Sequence, residues 1–443
     1  MRFLHRGPEW RWLVTLGVIA LVLRVGWAVL MMDRTPQFDE VEYMEFATRL
    51  AAGEGYVDES GRPVAFWPVG YPAVLSLVFR LAGPSPVAGV GLQVALGVAT
   101  CLLLSIVGSR VLGPGPGRLA GLLLAIYPTH VMYSTLHLTE PLFMLLLLGV
   151  ASCLFLGDKQ RLVELFLGGL LFGLAVLTRP LILPLGVVLP VALHRRGQRI
   201  GKTLLATAIV VTVTLVTILP WLWRNRELSG RWTTVTTSGG YNFWVGNNPA
   251  ARGGYVHPND LKVPLQDEDG YDWHRGYRLG WEWIRENPAM AVLRIPLKIS
   301  HLVALETDGV LWNLKGFDRA PPLLQVILLL LVANVAYAGV LTTASLALVN
   351  RQDLPVMGRF TVLLCGYMLA IVMIFFGDPR FHLPLVPFLL LFSASILVGE
   401  RSTSLKGVLG SQPGWLRNWA GLMAILGLLM LVNLAVKYFE GAW

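Results

Sequence analysis

The chain has 443 residues, of which 55% are hydrophobic and only 14% charged, and its mean hydropathy is +0.61. Roughly eleven apolar runs approach the 20 or so residues that a bilayer core demands, so the composition favours one polytopic helical membrane bundle over a string of soluble domains. The net charge of +9 is not a nucleic-acid signal, because the basic residues cluster in short loops between the runs and no basic-aromatic platform accompanies them.

The first predicted span, about 12–32, has a basic flank but no small-residue cleavage site, and reads as a retained helix rather than a leader. Arg24 lies within it, where a charge is costly and is usually functional or paired, for instance with a buried acid. The run FDEVEYMEFATRLAAGEGY follows and carries Asp39 and Glu40. These carboxylates suit a general base or metal ligand at the membrane surface, or loop acids that complement the dipole of the helix they open. Tyr43, Phe46, Ala47 and Leu50 recur at i, i+3, i+4 and i+7 and predict an amphipathic helix in the interface plane. Residues 70–83 are apolar but too short to span, which predicts a re-entrant or interfacial helix. Trp67 and Tyr71 in FWPVGYP read as sugar contacts or as turn and packing residues.

Further spans are predicted at about 87–112, 118–136, 141–157, 162–178, 181–194 and 202–224. Cys101, Cys153 and Cys365 all fall within apolar runs, without disulfide or metal-site spacing. Thr139-Glu140-Pro141 is a helix-start signature, so Glu140 is either a cap or a second acid near Asp39. His137 precedes it by three residues, which is weak metal evidence by itself. Arg179 sits between two spans in LTRPLILP.

The segment 225–321 is the most polar and contains YNFWVGNNPAARGGY. Here Asn247 and Asn248 suit sugar hydroxyls, with Trp244 stacking on a sugar face, or form a Gly-Asn turn. Trp273, Trp281 and Trp283 predict an interfacial helix, and Lys298 in PLKIS is a candidate phosphate ligand. The last spans are predicted at 322–349, 359–376, 382–398 and 419–438, with Arg380 and His382 in the corner GDPRFHLPLVP.

Basic residues at Arg2, His5, Arg6 and Arg11, at Arg110 and Arg118, and in 194–202 and 400–406 fall on one side of this arrangement. Loop charge bias makes that side cytoplasmic, with the N-terminus, and leaves 33–86, 225–321 and the C-terminus outside. Arg179 and Arg380 then lie on the outer face against the bias. An arginine at an interface can simply snorkel, but the forked guanidinium also grips phosphate. No glycine-rich nucleotide cradle follows a strand, so a nucleotide-sugar donor is not expected.

The acidic pair after the first span, Pro68-Val69-Gly70-Tyr71-Pro72 and the Glu140-Pro141 start together resemble the GT-C superfamily of membrane glycosyltransferases. The branch they are most similar to holds the protein O-mannosyltransferases and the lipid A aminoarabinose transferase. The resemblance covers roughly the first 250 residues, and the Arg380 corner more loosely. It implies an all-α GT-C bundle of about 11–13 transmembrane helices, with interfacial helices in the first outer loop. It also implies an inverting sugar transfer from a polyprenyl-phosphate donor to a hydroxyl of a lipid, glycan or protein, at the outer face of a bacterial plasma membrane. Asp39 is then the base, with Glu40 and Glu140 as catalytic acids able to orient the acceptor or hold a divalent cation. Arg179, Arg380 and Lys298 are the phosphate ligands. Tyr43, Trp67, Tyr71, His137, Trp244, Asn247 and His382 are the sugar or acceptor contacts.

Residues 1–224 are expected to form the transferase module, 225–321 an outer segment and 322–443 the closing helices. A transporter of lipid-linked sugars or a surface-glycan polymerase or ligase are the competing readings. A transporter should place ionisable residues along a midplane pathway, where Arg24 is the one deep charge identified.

Overall fold

A computed structural model of the chain describes residues 9–157, 161–194, 198–230, 232–256, 266–267, 270–271, 273–349, 356–398 and 414–439. The basic residues Arg2, His5 and Arg6, part of the 194–202 loop and all of 400–406, on which the orientation rests, lie outside this range.

Each predicted apolar run is helical. Seven helical stretches among the described residues are long and apolar enough to cross a membrane: Glu9–Leu30, Pro86–Leu112, Ile200–Ser229, Leu323–Val349, Val356–Ile374, Pro379–Val398 and Asn418–Ala435. The protein is a multi-pass membrane protein. We label the helices α1 (Glu9–Leu30), α2 (Asp39–Ala52), α3 (Gly70–Ala82), α4 (Pro86–Leu112), α5 (Pro114–Ile126), α6 (Pro128–Met132), α7 (Glu140–Phe155), α8 (Leu162–Thr178), α9 (Leu185–Leu193) and α10 (Ile200–Ser229). The polar segment carries α11 (Ser238–Gly246), α12 (Trp273–Glu286), α13 (Pro288–Leu293), α14 (Ile295–Leu302) and α15 (Asp308–Leu314). The chain closes with α16 (Leu323–Val349), α17 (Val356–Ile374), α18 (Val386–Val398) and α19 (Gly414–Phe439). The strand content among the described residues is a minimal hairpin pairing Gln266–Asp267 with Gly270–Tyr271 and an isolated bridge between Val57 and Pro63.

Two predicted spans are shorter than the sequence suggests. The run at 118–136 breaks at Tyr127, which is extended because Pro128 disfavours the helical conformation before it. The run at 181–194 begins as a 3-10 turn, Pro180–Ile182, and only its second half is α9. Both breaks fall where the chain turns back beside the site described below.

The Pro379–Val398 stretch is 83% buried over its apolar window and occupies the middle of the bundle, whereas Asn418–Ala435 is 6% buried and lies at its edge. Helices α4 and α5 approach most closely along a glycine seam. A Cβ on Gly108 would lie 2.8 Å from the Gly117 Cα, one on Gly117 would land on the Ser109 backbone, and one on Gly121 would lie 2.6 Å from the Ser105 Cβ. Small residues four apart let helix backbones meet where apolar packing alone has little driving force in lipid.

The predicted amphipathic helix is α2, and Tyr43, Phe46 and Ala47 are its buried apolar face. Tyr43 meets Trp67 and Tyr71 edge-on at 5.5 and 5.7 Å, which docks α2 on α3 and the turn before it. Arg224 near the end of α10 donates to Val64 O at 2.5 Å and Tyr56 O at 2.8 Å and holds the intervening loop. Arg24 is fully buried, but its partners are not acids. Its guanidinium reaches Ala20 O at 2.9 Å, Ala125 O at 3.3 Å, the Cys101 thiol at 3.4 Å and His130 Nδ1 at 2.6 Å. Carbonyl, thiol and imidazole groups thus take the place of the buried acid that was one possible partner from the sequence.

The seam gives a direct test of the packing. Gly117→Ala is expected to destabilise the protein by about 1–3 kcal/mol, because backbone stands in the way of the added methyl. A lower melting temperature of the purified protein in detergent would report it.

Candidate functional site

Five segments meet at one end of the bundle: the start of α2, the start of α7, the corner after α8, α15, and the corner between α17 and α18. Their junction holds two carboxylate–guanidinium pairs. Asp39 Oδ2 accepts from Arg380 Nη1 at 3.0 Å, and Glu140 Oε1 lies 2.9 Å from Arg179 Nη1. The first pair is open to approach, with side chains 28% and 19% exposed. The second is deeper, at 2% for Glu140 and 11% for Arg179, and the Arg179 guanidinium lies over the rings of Phe143 and Phe381 at 5.8 and 5.5 Å.

Local structure explains how each group is aimed. Asp39 opens α2 directly after Phe38, which has φ +52°, a left-handed conformation rarely adopted by a bulky residue. The turn at Phe38 projects Asp39 from the helix start towards Arg380. Arg380 lies in a 3-10 turn, Pro379–Phe381, capped by Asp378, whose Oδ1 accepts from the Arg380 backbone N–H at 2.9 Å and from its Nε at 3.4 Å. Trp312 covers a face of the guanidinium, 4.9 Å from its ring centre.

Glu40, predicted as a catalytic acid, has a different position. It is fully buried, and both its oxygens are taken by Arg34. The Gln37 backbone N–H adds a bond at 3.1 Å to one oxygen and the His137 N–H one at 2.9 Å to the other. His137 Nδ1 lies 3.3 Å from the same Glu40 oxygen, and its Nε2 donates to Pro86 O at 2.9 Å. Arg34 Nε in turn donates to Trp312 O at 3.1 Å. Burial alone would push the Glu40 carboxyl up, but the bonds from His137 and Arg34 outweigh it and hold the group below its ordinary value. Glu40 therefore positions Asp39 and has no face for a substrate. Gly89 in α4 makes room for this knot, since a Cβ there would strike the His137 ring.

Other predicted contacts are also occupied by the fold. Lys298 is buried and its ammonium donates to Asn247 Oδ1 at 2.9 Å and Met373 O at 3.2 Å. Burial, and then Arg294, push its amine down to about 8. Asn247 also donates to Phe243 O and Ile374 O, and the Asn248 amide donates to Trp244 O and Val245 O. Trp244 is buried against Val245, Trp283 and Phe376. Lys298, Asn247 and Trp244 thus tie α11, α14 and α17 together rather than facing the two ion pairs. Tyr71 is buried and bonded to Gln93 at 3.0 Å, Tyr43 is buried beneath α2, and Trp67 is half-buried between them. His382 is buried, 2.7 Å from Leu302 O and 3.2 Å from Glu306 Oε1, and stacked on Tyr337 at 4.4 Å.

Sequence reasoning missed Arg34, Trp312 and Glu306. Arg34 lies only six positions before Glu40, but Trp312, whose carbonyl bonds Arg34, lies 278 positions further on, and only contact reveals it. Glu306 accepts from Tyr127 at 2.7 Å as well as facing His382, so it joins the broken α5–α6 corner to the α17–α18 corner. Glu40 and Glu140, the acids available to a divalent cation, are each engaged by an arginine. Among the described residues no group of three or more His, Cys, Asp or Glu is gathered in a way that could hold a metal ion.

Comparison with known proteins agrees with this architecture. Residues 67–223, about a third of the chain, match the family described as dolichyl-phosphate-mannose-protein mannosyltransferase. No curated protein matches the sequence. The apo oligosaccharyltransferase of Archaeoglobus fulgidus superposes with a TM-score of 0.52, at 12% identity over 98% of this chain and 56% of that one. The same enzyme with Zn and sulfate gives 0.51, at 14% identity over 96% and 51%. ArnT from Cupriavidus metallidurans bound to undecaprenyl phosphate gives 0.44, at 16% identity over 88% and 78%. The chain spans about half the length of the oligosaccharyltransferase chains. The all-α membrane bundle expected from the sequence is the one observed, with seven stretches among the described residues long and apolar enough to span.

The Glu40 knot carries a pH signature. Its carboxyl is held below its ordinary value of 4.5, so its contribution to stability is complete above that value and is lost as pH falls through the lower folded value. Glu40→Gln is expected to cost about 3 kcal/mol at pH 7, because Arg34 is left buried without its counter-charge. The difference between native and variant melting temperatures should shrink as the pH is lowered below 4.5.

Proposed function

We propose that this chain, part of which matches the mannosyltransferase family, is a membrane glycosyltransferase that transfers a sugar from a polyprenyl-phosphate donor to a hydroxyl acceptor. The observation that carries this reading is the solvent-open Asp39 carboxylate held 3.0 Å from Arg380 beside the Glu140–Arg179 pair. A base and two cations at one site are what such a reaction requires. The sugar–phosphate bond breaks with its electron pair going to a phosphate oxygen, and a fixed guanidinium stabilises that charge as it develops. The acceptor oxygen forms the new bond to the anomeric carbon and gives its proton to Asp39. Displacement in one step by one base inverts that carbon.

Arg380 is the first phosphate ligand in this scheme and Arg179 the second. Glu140 holds Arg179 in place, and Glu40 acts by fixing α2. The description of the matched family, which names dolichyl phosphate, supports a polyprenyl-phosphate donor. Loop charge supports a site at the outer face, with the N-terminus cytoplasmic.

The test is release of free polyprenyl phosphate by purified protein in lipid, supplied with a panel of polyprenyl-phosphate sugars and a cell-envelope extract as acceptor. Asp39→Asn is expected to lower the rate at least about 100-fold, the usual contribution of a positioned base, while the fold remains intact. Equal rates in both forms would remove Asp39 as the base. No release from any donor would return the transporter reading.

A further inference from the structure

We propose that the Asp39–Arg380 ion pair is a latch that the donor phosphate opens, so that donor must bind before the acceptor can be deprotonated. The inference rests on the transferase reading above. In the structure the carboxylate that has to receive the acceptor proton already accepts a hydrogen bond, at Oδ2, from Arg380 Nη1 at 3.0 Å. The cation that has to receive the phosphate is the same guanidinium. Base and phosphate ligand therefore mask one another until a substrate separates them.

The geometry identifies which contact yields. Arg380 is anchored through its own backbone N–H and its Nε to Asp378, a residue 12% exposed, and its face is covered by Trp312. Asp39 holds it by a single bond, at the more exposed edge of the pair. A phosphate oxygen replacing Asp39 at Nη1 keeps the guanidinium paired throughout, so no partly buried cation is left bare during the exchange. The Glu140–Arg179 pair is not the latch. It is nearly closed to solvent and held between two aromatic rings, so a phosphate can add to Arg179 only at its edge.

The same exchange sets product release. Transfer cleaves the bond between the anomeric carbon and the phosphate oxygen, whose electron pair remains on the phosphate, and places the acceptor proton on Asp39. Protonated Asp39 does not compete for Arg380, so the new phosphate monoester stays bound. Loss of the proton to water restores the carboxylate, which pairs again with Arg380 and displaces the lipid phosphate.

The latch makes a prediction opposite in sign to a simple contact. Binding of undecaprenyl phosphate, with undecaprenol as the control lacking phosphate, is to be measured for the full chain in nanodiscs. Asp39→Asn removes the competing charge and is expected to bind undecaprenyl phosphate about fivefold to tenfold more tightly than the native protein. Arg380→Gln is expected to lose most of the preference for phosphate over undecaprenol, and Asp39→Asn on that background to restore none of it. Unchanged or weaker binding by a folded Asp39→Asn protein, with native binding intact, would overturn the latch while leaving the transferase reading in place. A native protein that does not distinguish undecaprenyl phosphate from undecaprenol would overturn the proposed donor and the latch with it.

Discussion

The buried contact between Arg34 and Glu40 organises the rest of the site. A charge removed from water is tolerated only when it is paired and its remaining hydrogen-bonding capacity is filled. Glu40 meets that requirement with the Arg34 guanidinium and two backbone N–H groups, and Arg34 with Glu40 and Trp312 O. The partners come from the loop after α1, the turn before α7 and α15. Satisfying one carboxylate therefore brings together three parts of the chain, and Asp39, the neighbouring residue, is fixed as a consequence. The two adjacent acids divide the labour: the buried one is structural, and the exposed one is left where a ligand can reach it.

A second constraint is charge balance. Asp39, Glu140, Arg179 and Arg380 pair off, with Asp378 supporting Arg380 from behind. In a low-dielectric setting an isolated cation is costly, and each of these guanidiniums is held against a carboxylate. The two pairs differ in depth, Asp39–Arg380 being the more exposed. Aromatic rings contribute at both, with Trp312 over Arg380 and Phe143 and Phe381 about Arg179, restricting the guanidiniums without adding charge.

Much of this was legible in the chain. The apolar runs, the amphipathic face of Tyr43, Phe46 and Ala47, the helix start at Glu140-Pro141 and the outlying arginines are local patterns, and the structure contains each of them. The expectations that changed concern partners. Lys298, Asn247 and Trp244 have side chains suited to binding a sugar phosphate, but those same donors and surfaces serve equally well to join helices, and here they do. His137 likewise holds Glu40 in place, and Arg24, whose partner the sequence left open, is paired with carbonyls, a thiol and an imidazole.

The sequence by itself determined the membrane bundle, the order of its helices and the presence of acids and arginines at the helix junctions. Hydrophobic length, helical periodicity and proline-marked starts are properties of neighbouring residues, and they act before any long-range contact forms. Only the tertiary structure decided which acid faces which arginine. Asp39 and Arg380 are separated by 341 positions, and Arg34 and Trp312 by 278. No local rule pairs residues at such a distance. Their pairing follows from the way the helices pack, and packing also decided which polar side chains remained open to a ligand and which were used to hold the bundle together.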